Sequence, residues 1–206
     1  MNIFDLLIVV VTYYVQLLAI MNPFSVIPTF LGMTQGLDYS EVSRVVKRAM
    51  LAGLIIVVLF TLAGNYVLEV FNVSIPGLRV GGGIILLVIA IDMLGEEPRT
   101  KRMPKEDIAV VPIATPLIIG PGTITTILLL TASKPGDLLN TGLVLLSGVL
   151  ACITSFIILK LSRDIARYLR VSVIRALGRF MALIIAGVAT ELIATGIKMY
   201  YEAFTG

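Results

Sequence analysis

The chain alternates long apolar runs with short polar connections, and the runs show neither strand alternation nor the one-sided stripe of a soluble helix. Six segments stand out, at roughly 6–33, 49–70, 76–95, 108–132, 138–159 and 177–200. Most reach the ~20 residues that a helix needs to cross a bilayer. The third and sixth each carry one acid inside, Asp92 and Glu191. The connections are too short to hold a folded aqueous domain. The pattern predicts an all-α polytopic membrane protein of six transmembrane helices, a single membrane domain over residues 1–206.

The first segment is too long for one straight crossing, and it is interrupted in its middle by "AIMNPFSVIPTF", residues Ala19 to Phe30. Proline deletes a backbone donor and clashes with the preceding turn, and freed backbone groups are expensive in hydrocarbon. A break at Asn22-Pro23 makes two half-helices. Pro23 then takes the first helical position, where its missing N–H costs nothing; Asn22 takes the cap and Ser25 the third position. Segment four repeats the arrangement, with Gly120 at the cap, Pro121 first and Thr123 third.

The repetition runs further. "MNPFSVIPTFLGMT" at 21–34 aligns with "IGPGTITTILLLTA" at 119–132, an offset of 98 residues. Arg79 opens segment three, with Asp92 thirteen residues on; Arg179 opens segment six, with Glu191 twelve residues on. With three segments per half, the second half enters the membrane from the opposite face. The expected plan is two inverted-topology repeats, about 1–98 and 99–206, with helices 1 and 4 broken at midplane, a plan common among secondary transporters.

Composition sharpens the class. Only 14% of the 206 residues are charged, against roughly 25% in a soluble domain. Mean hydropathy is +1.02. There is no histidine, and the one cysteine, Cys152, lies in an apolar run. This argues against a disulfide framework, the usual zinc ligand sets and cysteine–histidine catalysis, so no metal and no cofactor is expected. The N-terminal "MNIFD" lacks a basic leader region, so the first segment reads as a span.

The placement of charge sets topology. Arg44, Lys47 and Arg48 follow segment one; Arg99, Lys101, Arg102 and Lys105 follow segment three; Lys160, Arg163, Arg167, Arg170 and Arg175 follow segment five. The opposite side has Lys134, Lys198 and Arg79. Basic loops stay in the cytoplasm, which puts both termini outside a plasma-membrane protein. The same rule accounts for "RVVKR" and "EEPRTKRMPK" without a nucleic-acid partner.

Two helix starts facing each other at midplane expose unpaired N–H groups and the positive ends of two helix dipoles. That is an anion site without a basic residue, suited to a carboxylate. Freed carbonyls around 18–21 and 116–119 suit an ammonium group, and Gly122 leaves room for a ligand. The expected substrate is a small zwitterion, held by Asn22, Pro23, Ser25, Gly120, Gly122 and Thr123. For Glu191 two readings stand side by side: a proton-coupling site, or a buried acid paired with Lys198 or a hydroxyl. Asp92, nearer its segment's end, is a second coupling candidate for which an interfacial ion pair is favoured. Pro28, Pro112 and Pro116 read as kinks. The glycines at 81–83 and the Ser147, Ala151, Ser155 stripe read as packing surfaces.

"MNPFSVIPTFLGMT", "LRVGGGIILLVIAIDML" and "IATPLIIGPGTITTILLL" resemble the signature segments of the MarC family of membrane proteins, over essentially the whole chain. The resemblance extends to SnatA-like members, described as transporters of glycine and alanine, and implies that activity here with proton coupling. It places the family's two broken segments on Asn22–Ser25 and Gly120–Thr123. Many members have glutamine where Glu191 stands, a departure that bears on its coupling role. The leading reading is thus a secondary transporter of small neutral amino acids, with a channel or facilitator as the alternative. An intramembrane enzyme on Asp92 and Glu191 matches no catalytic motif, and multidrug export finds no aromatic-lined cavity and no tryptophan.

Overall fold

A computed structural model describes residues 2–95, 118–169 and 171–205. Every regular element among them is a helix: α1 (Ile3–Met21), α2 (Pro23–Met33), α3 (Tyr39–Val70), α4 (Ile75–Leu94), α5 (Pro121–Ala132), α6 (Leu138–Lys160), α7 (Ser162–Tyr168) and α8 (Val171–Thr205). Five stretches are long and apolar enough to cross a membrane: Ile3–Met33, Tyr39–Val70, Ile75–Leu94, Leu138–Lys160 and Ser172–Thr205. α5 is a shorter apolar helix. The expected segment at 108–132 lies outside the described residues up to 117, as do Pro112 and Pro116.

The helices run past the apolar segments where capping chemistry favours it. α3 starts at Tyr39, ten residues before its apolar run, because Asp38 and Glu41 form a capping box. The Glu41 N–H donates to Asp38 Oδ1 at 2.8 Å, and the Asp38 N–H donates to Glu41 Oε2 at 2.9 Å. The first of these bonds holds the Asp38 carboxyl below the usual carboxylate range. Asp137 caps α6 in the same manner, accepting from the Leu139 and Asn140 N–H groups at 2.9 and 3.2 Å.

Burying apolar surface gives helices no advantage over lipid, so close approach and hydrogen bonds must hold them together. α4 and α8 pack antiparallel over their length. Tyr200 lies against Gly77, Gly196 against Pro76 and Val80, and Ala189 and Ile193 against Gly83. A Cβ at Gly83 would sit 2.7 Å from the Ala189 carbonyl oxygen. α6 forms the other seam, packing on α1 and α3. Ser147 Oγ donates to Val10 O at 3.1 Å, Ser155 Oγ donates to Met21 Sδ at 3.6 Å, and Tyr14 Oη lies 3.1 Å from Thr154 Oγ1. Cys152 is fully buried in this seam.

The glycines of 81–83 differ in what they face, and this gives a test. Gly81 has nothing within 4 Å of where its Cβ would be. Gly81→Ala should be neutral, or stabilising by up to about 1 kcal/mol, because alanine restricts the unfolded chain. Gly83→Ala must push α8 backbone aside and should cost about 1–3 kcal/mol. Melting of the purified variants in detergent, followed by helical circular dichroism, checks the difference. Equal melting temperatures would show that α4 and α8 do not approach at Gly83.

Candidate functional site

The one break inside a membrane-length stretch among the described residues falls at Asn22. Asn22 is left-handed, with φ 37° and ψ 65°, a conformation that an asparagine tolerates and most residues avoid. Its N–H donates to Leu18 O at 2.9 Å and closes α1. Its side chain opens α2: Oδ1 accepts from the Ser25 N–H at 3.3 Å, while Ser25 Oγ donates to Asn22 O at 3.0 Å. Pro23, buried, is the first residue of α2. Two of the first three backbone donors of α2 are therefore closed to a ligand, one absent and one already taken. What the break leaves open is the Asn22 amide nitrogen. Asn22 is 2% exposed and its Nδ2 is buried with no partner. Such a donor is costly to leave unsatisfied.

The start of α5 is the complement. Gly120, half-buried in extended conformation, caps it without a side chain, so the cap residue makes no side-chain bond to the first-turn N–H groups. Thr123 is 2% exposed, and its hydroxyl donates back to Ile118 O at 3.2 Å. The Thr126 hydroxyl donates to Gly122 O at 2.9 Å.

The start of α5 packs on the last turn of α1. A Cβ at Gly122 would be 3.5 Å from Ile20 Cγ2 in the last turn of α1. The same Cβ would meet Leu86 Cδ2 at 2.7 Å and Ile89 Cδ1 at 3.1 Å, so close packing on α4 is enough to require glycine there. Asn22, Pro23 and Ser25 thus sit at the start of α2, and Gly120, Gly122 and Thr123 at the start of α5, with the serine and threonine hydroxyls already bonded to backbone.

Asp92 is half-buried near the end of α4. Glu191 lies elsewhere, exposed in a groove of about 610 Å³ between α1 and α8 that also reaches Thr12, Gln16 and Ile20. The structural reading of Glu191 named Lys198 as its partner. Lys198 instead lies 3.8 Å from Glu202, its neighbour one turn on, and the Thr195 hydroxyl bonds the Glu191 carbonyl, not its carboxylate. Sequence reasoning missed two tethers that hold the far ends of the half-helices. Arg163 Nη2 donates to Thr34 O at 3.3 Å and to Leu37 O at 2.7 Å just beyond α2. Asn140 Nδ2 donates to Leu130 O in α5 at 3.0 Å, and Asn140 Oδ1 accepts from Tyr13 Oη at 3.0 Å. No periodicity marks such long-range pairs.

A family model described as "MarC family integral membrane protein" matches residues 7–201. A UPF0056 membrane protein of Methanocaldococcus jannaschii is 36% identical over 201 residues, covering 93% of this chain and 88% of the relative. The UPF0056 membrane protein YvbG of Bacillus subtilis is 29% identical over 207 residues, covering 95% and 97%. No solved structure matches the chain.

The left-handed backbone at Asn22 separates two substitutions. Asn22→Gly keeps the conformation and should lose under about 1 kcal/mol. Asn22→Ala loses the cap and is strained besides, and should cost about 1–3 kcal/mol. Detergent melts of the two proteins check this; an alanine variant as stable as the glycine variant would mean that the helix runs through residue 22.

Proposed function

The chain belongs to the MarC family of integral membrane proteins, and on that premise we propose that it is a secondary transporter of small neutral amino acids such as glycine and alanine, driven by protons. The carrying observation is the buried amide of Asn22, unpartnered among the described residues, together with an α5 whose cap, Gly120, has no side chain and which packs on the last turn of α1. A substrate carboxylate would take the Asn22 Nδ2 donor and the first-turn N–H groups of α5. The dipole of α5 favours the same charge. Its ammonium would go to carbonyls freed at the break. Tight walls of Ile20, Leu86 and Ile89 around Gly122 favour a small side chain.

Transport by alternating access fits the inverted-repeat plan, and several features support that plan. α2 and α5 both begin at proline and end before a hydroxyl residue, Thr34 and Ser133. Each is followed by a positive-φ glycine, Gly36 or Gly136, and an aspartate cap, Asp38 or Asp137, at offsets of 100 and 99 residues. Each half-helix packs on the third helix of the other half, α2 through Ser25 against Gly178 and α5 through Thr125 against Gly82. Those third helices, α4 and α8, are antiparallel, as inversion requires. In this reading both termini are outside a plasma membrane, and Glu191 and Asp92 are the coupling candidates.

Purified protein in liposomes loaded with unlabelled glycine should accumulate labelled glycine by counterflow. Osmotic swelling without counterflow would make it a channel for small neutral solutes. Asn22→Gly, folded, should bind glycine about tenfold or more weakly, since it loses a donor to a charged group. Ser25→Ala and Thr123→Ala remove hydroxyls that bond backbone and should cost binding only about 0.5–1.5 kcal/mol each. Glycine binding undisturbed in Asn22→Gly would move the site elsewhere. At saturating glycine, Glu191→Gln should keep exchange and lose accumulation driven by a pH gradient. Normal gradient-driven uptake by that variant would remove Glu191 from coupling.

A further inference from the structure

Arg79 is the basic residue that neither the topology nor the broken-helix site uses. It stands four residues into α4, and its Cβ is packed 3.0 Å from where a Cβ of Gly196 would be. Nη1 donates to a neutral acceptor, Thr195 Oγ1, at 3.2 Å. Nε is buried with no partner. No carboxylate of a described residue lies within 4.0 Å of its guanidinium. A partly buried arginine with open donors calls for an oxyanion, since an uncompensated charge away from water is unfavourable.

Glu191 presents the opposite need nearby. It is one turn before Thr195 on α8, about 6 Å along the axis, and the Thr195 hydroxyl that receives Arg79 itself donates to Glu191 O at 2.8 Å. The Glu191 carboxylate is exposed in the α1/α8 groove with no ionic partner among the described residues. The remaining groove wall includes Val15, Gln16, Ile20 and Val188. An ionised acid among such residues is costly if lipid fills the space. Through the Thr195 hydroxyl, Arg79 thus reaches the turn of α8 that carries Glu191, and among the described residues neither charge has an ionic partner.

We propose that Arg79 and Glu191 form a second, outer binding site for a zwitterion, with the carboxylate on the Arg79 guanidinium and the ammonium on the Glu191 carboxylate. An α-amino acid carries both charges on one carbon and offers a charge-assisted hydrogen bond of about 2.7–2.9 Å at either end. A simple anion satisfies only Arg79 and a simple amine only Glu191. The groove reaches Ile20, which packs against Gly122, so the outer site ends beside the start of α5. The inference rests on the transport reading only for passage onward from there. The ammonium and a coupling proton occupy the one carboxylate in turn, so the two roles of Glu191 follow each other.

The test uses the full chain in liposomes, with Cys152→Ala removing the buried thiol and Val15→Cys placing one in the groove. A membrane-impermeant maleimide should label the new thiol, and glycine should slow labelling where acetate or methylamine at equal concentration does not. The glycine concentration for half protection should rise about tenfold or more in Arg79→Gln and in Glu191→Gln. It should rise less in Arg79→Lys, which keeps the charge and confirms that a folded protein is being read. A thiol closed to the reagent, protection by acetate equal to that by glycine, or unchanged half-protection in both glutamine variants would each overturn the outer site. Glycine counterflow without protection would overturn it and leave the transport reading standing; protection without counterflow would do the reverse.

Discussion

Everything in this structure answers to the intolerance of hydrocarbon for an unpaired peptide group. A continuous helix satisfies that demand internally. This chain interrupts one and must then settle each freed group separately. At Asn22 the backbone N–H closes α1 and the side chain caps α2, so a single residue serves both helix ends. Thr123 returns a hydrogen bond to Ile118 ahead of α5. Beyond the breaks, Arg163 serves carbonyls just past α2, and Asn140 serves one near the end of α5. Against these settled groups, the amide nitrogen of Asn22 stands buried with no partner among the described residues.

The second constraint is distance. Helices held by dispersion and hydrogen bonds need close approach, and the glycines at 77, 83, 122 and 196 supply it. Gly122 is instructive because the argument for it from sequence and the argument from packing differ. Space for a ligand and space for Leu86 both ask for a residue without a side chain, so the identity of the residue cannot distinguish them. The amide of Asn22 does not share this ambiguity, since no neighbour claims its Nδ2.

How much of this was legible beforehand follows from the range of the interactions. The helical, membrane-spanning class and the cap, proline and serine positions at 22–25 are local, and the apolar runs and the Asn-Pro pair state them directly. The start of α3 was misjudged by ten residues because hydropathy reports the lipid-facing portion, whereas the capping box at Asp38 decides where the helix begins. Lys198, one of the partners considered for Glu191, lies instead 3.8 Å from Glu202, which at one turn's spacing is nearer than Glu191 at two. The Arg163 and Asn140 tethers and the Arg79–Thr195 bond join residues 10 to 129 positions apart, and no spacing rule reaches them.

The tether from Arg163 also bears on how the protein is made. The carbonyl groups beyond α2 wait for a guanidinium 129 residues further along the chain, and the glycine face of α4 waits for α8, which follows α5, α6 and α7. The first half therefore leaves the ribosome with its closest-packing surface and one of its half-helix ends uncovered. The packing of α4 and of the far end of α2 is completed only by residues of α7 and α8.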